Sequence, residues 1–289
     1  MKNFVNAKAL VDYAKAGKYA VAHFNINNLE WTKSLLEVAQ ETKSGIILGA
    51  SEGAIKYMGG YNVVANMVKS LMADLKITVP IVLHLDHGQS YQACQSALEA
   101  GFTSVMFDGS HLSFPENLET TKKVIALAKK YHASVEAEAG SVGGEEDGVV
   151  GLGEVADPQE CQSLAKLGID ILAAGINNVH GRYPDGWKGL NFDVLKQIAE
   201  ASNKPLVLHG GSGIPKEQVA KAISLGIAKV NVNTELQEAF AGAIRNYIIN
   251  NKDQENKGYD PRKLMKDATL AIKTKAIELL KEFGSYGKS

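Results

Sequence analysis

PIVLHLDHG, residues 80–88, decides the fold. It opens as an unbroken apolar run and closes on His84, Asp86, His87 and Gly88. A strand that is apolar at consecutive rather than alternate positions has both faces covered, as in a parallel sheet flanked by helices. Its polar end must therefore open on something other than the core. Asp86 and His87 are neighbours, which a regular strand points to opposite sides. The strand is therefore expected to end there, with Gly88 helping the turn.

Seven similar runs surround it: residues 20–27 (AVAHFNIN), 46–50 (IILGA), 104–109 (SVMFDG), 134–140 (SVEAEAG), 171–176 (ILAAGI), 205–211 (PLVLHGG) and 228–234 (AKVNVNT). With the third run counted as 80–86, successive starts lie 23 to 37 residues apart, room for a strand, a helix and two loops. Residues 29–41 and 116–130 carry apolar positions at helical spacing among charges. Gly101, Gly168 and Gly226 each stand between a helical stretch and a strand, as C-terminal caps do. Eight such units without a break in composition predict an α/β fold, a (β/α)8 TIM barrel. Residues 1–289 are read as a single domain, with extra C-terminal helices around a polar loop at residues 250–257. A doubly wound open sheet is the alternative, but the first strand lacks the GxGxxG turn.

Composition narrows the function. Lys and Arg number 31 against 32 Asp and Glu, for a net charge of −1, which is not the basic footprint of a nucleic-acid binder. The two cysteines, Cys94 and Cys161, form no CxxC motif. The first residues lack the apolar core of a signal peptide, and no apolar run reaches the ~20 residues of a membrane span. A cytoplasmic protein without nucleic-acid or membrane partners is expected.

The polar residues gather at the strands' C-terminal ends, where TIM barrels carry out catalysis. His87, His180 and His209 each end or follow a strand and each adjoin a glycine. Three imidazoles with an open fourth position make a catalytic rather than a structural zinc site. A hydrogen-bonded strand-end histidine is the plainer reading, and it is the one given to His23, His84, His111 and His132, with His84 on the same face as Asp86. Asp86 suits proton transfer or orientation of a substrate hydroxyl beside a metal, with a helix N-cap as its alternative. Glu136 and Glu138 share one face of the fifth strand, and a metal ion is the expected partner for both. Residues 140–148, GSVGGEEDG, read as a mobile loop that carries a carboxylate over the site. HGGSG (209–213) and NVNTE (231–235) follow strands seven and eight, where TIM barrels bind phosphate through backbone N–H groups.

Taken together, FNINN (24–28), HLDHG (84–88), FDGSH (107–111), VEAEAGSVGGEED (135–147), NVHGRYP (178–184), LHGGSGIP (208–215), VNVNTE (230–235) and DPRK (260–263) resemble the class II fructose-bisphosphate aldolases over nearly the whole chain. The resemblance implies Zn2+ held by His87, His180 and His209, with Glu138 able to occupy it when it shifts. It implies Asp86 as the residue that moves the hydroxyl proton during C–C cleavage and Glu146 as the one that moves the proton at the carbon next to the ketone. Gly181, Gly211, Ser212, Asn233 and Thr234 match the phosphate cradle, with a monovalent cation (Na+ or K+) nearby. Asn231 matches a contact to the enediolate region, and Asn25 and Ser51 match substrate-side polar positions. Arg262 matches a basic residue that reaches the other phosphate from a neighbouring subunit of a homodimer or homotetramer. The sugar bisphosphate is the implied partner. Asn177-Asn178 and Arg182 depart from the family's usual residues, which puts the loop beside the phosphate in doubt. Tagatose-bisphosphate aldolases usually carry alanine where this chain has Asn233, which favours fructose. The competing readings are tagatose specificity, a Schiff-base aldolase, which needs a lysine at the mouth, and a sugar-phosphate binding barrel without turnover.

Overall fold

The eight apolar runs become the eight parallel strands of one closed barrel in the computed structural model, which describes residues 2–146 and 149–289. In chain order the strands are β1 (Val21–Asn25), β2 (Ile46–Ser51), β3 (Ile81–Gly88), β4 (Ser104–Phe107), β5 (Ser134–Ala139), β6 (Gly143–Glu146), β7 (Val149–Leu152), β8 (Ile171–Ala174), β9 (Val179–His180), β10 (Leu206–Leu208) and β11 (Ile227–Val232). Around the cylinder the order is β1-β11-β10-β8-β5-β4-β3-β2, closed by β1 against β11 in the register Val21↔Lys229 to Phe24↔Val232. Helices connect consecutive strands on the outside, as right-handed parallel crossovers require. Leu29–Thr42 starts on Asn28, whose side chain accepts from Trp31 N–H, and the helices before β4 and β8 end on Gly101 and Gly168 in the left-handed conformation.

Between β2 and β3 the chain makes two helices, Glu52–Met58 and Tyr61–Asp74. The polar stretch at 250–257 contains a short 3-10 turn, and the chain closes with Pro261–Leu264 and Lys266–Glu282. The last helix packs against Thr234–Ile249 and Leu29–Thr42.

Side-chain alternation sorts the barrel interior into layers. The lowest is apolar: Val21, Ile47, Val82, Met106, Ile171 and Val207, sealed from below by Ala7, Val11 and Ala14 at the N-terminal helix Lys8–Gly17. Two residues further along the strands stand His23, His84, Glu136 and Lys229, all wholly buried. Above them come Asn25, Ser51, Asp86, Glu138 and Asn231, still buried but now at the C-terminal rim. The outward faces and the helices form a second, larger core. Apolar packing at the floor therefore supports a polar column that rises to the rim.

Ile47 is wholly buried in the floor. Ile47→Ala should cost about 2–5 kcal/mol of unfolding free energy in a denaturant titration, because the ring of strands cannot collapse into the void. A loss well below that range would show that the floor repacks freely.

Candidate active site

The third strand does not end at Asp86. It continues to Gly88 and carries a bulge: from Leu85 to Gly88 it takes three steps where β4 takes two, Val105 to Phe107. His87 sits at the extra position with φ +49°, the left-handed region that few residues other than glycine adopt. The bulge reconciles what a regular strand forbids, because Asp86 and His87 both reach into the mouth. The backbone strain lies at a residue aimed at the site, where such strain tends to concentrate.

His87, His180 and His209 converge. One ring nitrogen from each lies within 4.8 Å of the others, and the His87–His209 and His87–His180 ring centroids are 4.5 and 4.9 Å apart. Two carboxylates set the ring orientations. His87 Nδ1 donates to Asp108 Oδ2 at 2.7 Å, and His209 Nε2 donates to Glu136 Oε1 at 2.9 Å. Carboxylates accept only, so the remaining nitrogens, His87 Nε2 and His209 Nδ1, present lone pairs to each other at 2.8 Å. A proton or a cation fits between them, and His209 Nδ1 also lies 3.2 Å from the Asn231 Nδ2 donor. Carboxylate–histidine pairs of this kind are how proteins orient metal-ligating imidazoles.

Glu136 departs from expectation. Rather than facing a metal, it is wholly buried one layer below, where Oε2 accepts from Lys229 Nζ at 2.6 Å while Oε1 holds His209. Lys229 Nζ is also 3.5 Å from His84 Nε2, and His84 Nδ1 is 2.8 Å from Ser104 Oγ. Ser134 Oγ donates to Ser104 Oγ and accepts from Ala7 N–H at the barrel floor. Burial first, and the Lys229 charge second, hold His23 and His84 well below the ordinary histidine range, so both rings are neutral. Lys229, wholly buried and spent on Glu136, is not placed to meet a substrate carbonyl, which removes it as a Schiff-base lysine.

Glu138 fits the opposite description. Oε1 accepts from Val142 N–H at 3.1 Å, while Oε2 is buried with no hydrogen-bond partner among the described residues. Burial first, and the nearby Asp108 carboxylate second, push its pKa up to about 8. A carboxylate this poorly compensated fits a place beside a cation. With His87 and Asp108, Glu138 forms a second group whose ligand atoms lie within 4.8 Å of one another. Burial would raise Asp108 too, but the hydrogen bonds of His87 and Ser110 bring it far below the usual carboxylate range. Imidazole nitrogens and carboxylate oxygens at these separations are the donor set of a divalent metal centre. Asp108 is the residue that sequence reasoning passed over; its signal was its place in FDG at a strand end, parallel to HLDHG.

Asp86 is held by two amides: Asn25 Nδ2 donates to Oδ2 at 2.9 Å and Asn231 Nδ2 to Oδ1 at 3.3 Å. Ser51 lies beside it in register across β2 and β3, and its hydroxyl also caps the next helix at Ala54 N–H. The N-cap reading of Asp86 falls to Ser90 instead, whose side chain accepts from Ala93 N–H at the start of the helix after β3, Tyr91–Ala100.

Within the segment expected as a mobile loop, Gly143–Glu146 is a strand, half of a hairpin. β6 and β7 pair antiparallel, and β6 pairs parallel with β9, which carries His180. Ser141 N–H and Ser141 Oγ tie the root of this hairpin to Glu154. Glu146 ends β6; its side chain, with Asp147 and Gly148, lies outside the described residues.

Beside the histidines opens a cavity of about 340 Å³ bordered by Asn25, Gly181, Ser212, Asn231, Asn233 and Thr234. The helix Thr234–Ile249 begins there with Asn233 as its N-cap, so backbone N–H groups and the positive end of the helix face the cavity, a ready anion site. Arg182, also on its border, pairs with Glu238 at 2.7 Å. Gly211 lies just beneath, its N–H bonded to Asn231 O. Arg262 is not brought to this cavity. It is fully exposed in Pro261–Leu264 and paired with Asp260 at 2.6 Å. A second cavity, of about 330 Å³, shares His180 and is bordered by His87, Asp108 and Glu138.

A closed (β/α)8 barrel with three imidazoles, buried carboxylates and a helix N-terminus at one rim defines a barrel enzyme with a metal-type centre beside an anion site. Residues 5–288 match the family described as fructose-bisphosphate aldolase class-II, and the chain belongs to that family. It is 57% identical over 287 residues to a fructose-bisphosphate aldolase of Mycoplasma pneumoniae, covering 99% of each chain. It is 51% identical over 289 residues to one of Geobacillus stearothermophilus, again with 99% of each covered. Among solved structures it superimposes on the YdjI aldolase of Escherichia coli K12 with a TM-score of 0.83, at 33% identity and 99% of each chain covered.

Glu138 supplies a pH test of the metal-free protein. Its raised pKa means that the folded chain holds a proton the unfolded chain has lost between about 4.5 and about 8, so this group's contribution to stability falls as pH rises through that window. In thermal unfolding, Glu138→Gln should match the parent near the acid end and become progressively the more stable of the two towards pH 8. Parallel curves would show that this carboxyl is not the group that titrates.

Proposed function

We propose that this chain catalyses the reversible aldol cleavage of D-fructose 1,6-bisphosphate to dihydroxyacetone phosphate and glyceraldehyde 3-phosphate. The observation that carries this reading is the meeting of His87, His180 and His209 beside the buried Asp86 carboxylate. The three imidazoles would hold Zn2+, with Glu138 as a further carboxylate. Bound there, the metal supplies a Lewis acid for the oxygens of the ketone fragment.

The chain's own residues supply positioning and proton transfer. Asp86, steadied by Asn25 and Asn231, takes the C4 hydroxyl proton as the C3–C4 bond breaks and returns it in the synthetic direction. Glu146 carries the proton to and from the carbon next to the ketone. The N-terminus of Thr234–Ile249, with Gly181, Gly211, Ser212 and Asn233, cradles the phosphate of the three-carbon ketone, and a bound Na+ or K+ would supply positive charge there. Asn231 borders the same cavity as the phosphate cradle and so can reach the reacting end of that fragment. Ser51, next to Asp86, contacts the substrate side. Glu136, paired with Lys229, accepts from His209 Nε2 and so keeps the tautomer whose Nδ1 lone pair can ligate. Arg262 would serve the second phosphate of a neighbouring copy in a homodimer or homotetramer, which accords with its distance from the phosphate cavity of its own chain. The whole chain is read as one catalytic domain acting in glycolysis in the cytoplasm.

Chelation should abolish cleavage, and added Zn2+ should restore it; full activity in demetallated protein would overturn the metal assignment. Asp86→Ala should lower kcat by about 10²–10⁴-fold while the bound zinc content stays near that of the parent. The coupled assay run on both ketose bisphosphates should favour fructose, and a preference for tagatose would reassign the substrate.

A further inference from the structure

His180 and His209 come from different sheets. β9, only two residues long, belongs to the hairpin sheet, whereas His209 directly follows barrel strand β10. Nothing in barrel closure fixes the distance between them. Two side chains bridge the gap. Tyr183 Oη accepts from Val179 N–H at 3.2 Å and donates to Gly210 O at 2.8 Å, so that one hydroxyl joins the residue before one histidine to the residue after the other. Asn178 Nδ2 donates to His209 O at 3.0 Å, and its Oδ1 accepts from Ile176 N–H at 2.9 Å.

The joint leaves little slack. Gly210 has φ +63°, and a Cβ there would lie 2.2 Å from Val179 O, so only glycine lets the two backbones approach this closely. The Tyr183 ring packs on Trp187 with centroids 4.2 Å apart, and Trp187 Nε1 donates to Asn177 O at 2.8 Å. The phenol is thus anchored from behind. Asn178 is almost wholly buried, and the Asn177-Asn178 pair that set this chain apart is part of the same joint.

We propose that Tyr183, assisted by Asn178, is a positioning residue that sets the separation of His180 and His209 for metal binding. Its hydroxyl is bonded to the two backbones and acts through them. This rests on the metal reading above and adds to it the element that couples the hairpin sheet to the barrel.

The test uses the full chain with Zn2+ competed against a chromophoric chelator, and Co2+ as a spectroscopic probe. Tyr183→Phe keeps the ring on Trp187 and removes only the hydroxyl. It should weaken Zn2+ binding about tenfold and shift the visible bands of the Co2+ protein. Loss of its two hydrogen bonds should lower the melting temperature of the metal-free protein by about 4–8 °C. Unchanged zinc affinity with an unchanged cobalt spectrum would overturn the proposal, even if that melting temperature fell. Should Tyr183→Phe fail to fold, Asn178→Ser breaks the other bond of the joint, with the same expected and overturning results. A parent chain that binds no zinc, or binds it equally well as His209→Ala, would instead bring down the metal site itself and this proposal with it.

Discussion

Parallel pairing of Val21–Phe24 with Lys229–Val232 turns a row of strands into a cylinder, and the site depends on that closure. In an open sheet, β3 and β10 would each have a rim of their own. In a barrel, the C-terminal ends of β3, β5, β10 and β11 face one another across a single mouth, so that His87, Glu138, His209 and Asn231 meet although up to 144 residues separate them in sequence. Closure also fixes handedness and direction, since parallel strands deliver all their C-terminal ends to the same side.

What fills the cylinder is chemically costly. A lysine and a glutamate without access to water cost several kcal/mol each in desolvation, recovered only through close pairing and further hydrogen bonds. Here the 2.6 Å Lys229–Glu136 contact, and the shared bonds to His84 and His209, meet that condition. An apolar layer of similar volume would stabilise the barrel as well or better, so the polar column is explained by what it supports: it runs from the floor at Ala7 and Ser134 up to the His209 ring. The His87 bulge follows the same logic, a local cost at the position where two neighbouring polar side chains must face one way.

The fold was legible because its signal is local and repeated. Eight apolar runs at a steady interval, Gly101 and Gly168 at helix ends, and polar residues at strand ends each reflect short-range physics that a linear reading captures. The grouping of the three histidines was legible for the same reason, since each lies at the end of a run or just beyond one. Glu136 was assigned a metal partner because alternation places it on the same face as Glu138; that it sits one layer lower, beside a lysine from β11, depends on strand stagger, which sequence spacing does not encode. The pairing of Gly143–Glu146 with Val149–Leu152 was hidden because glycine and acidic residues are poor strand formers; these strands exist through pairing with each other and with β9.

Sequence alone therefore determined the barrel, the rim and the residue types that reach it, because burial and periodicity act over a few residues at a time. Tertiary structure alone decided which histidine nitrogen is turned toward its neighbours, which glutamate serves a histidine and which is left poorly compensated, and how a two-residue strand outside the barrel is held against the end of β10. Those outcomes are set by bonds spanning more than twenty residues, such as Tyr183 to Gly210 and Lys229 to Glu136. Hydrogen-bond geometry is decided within tenths of an ångström, and no linear spacing carries that information.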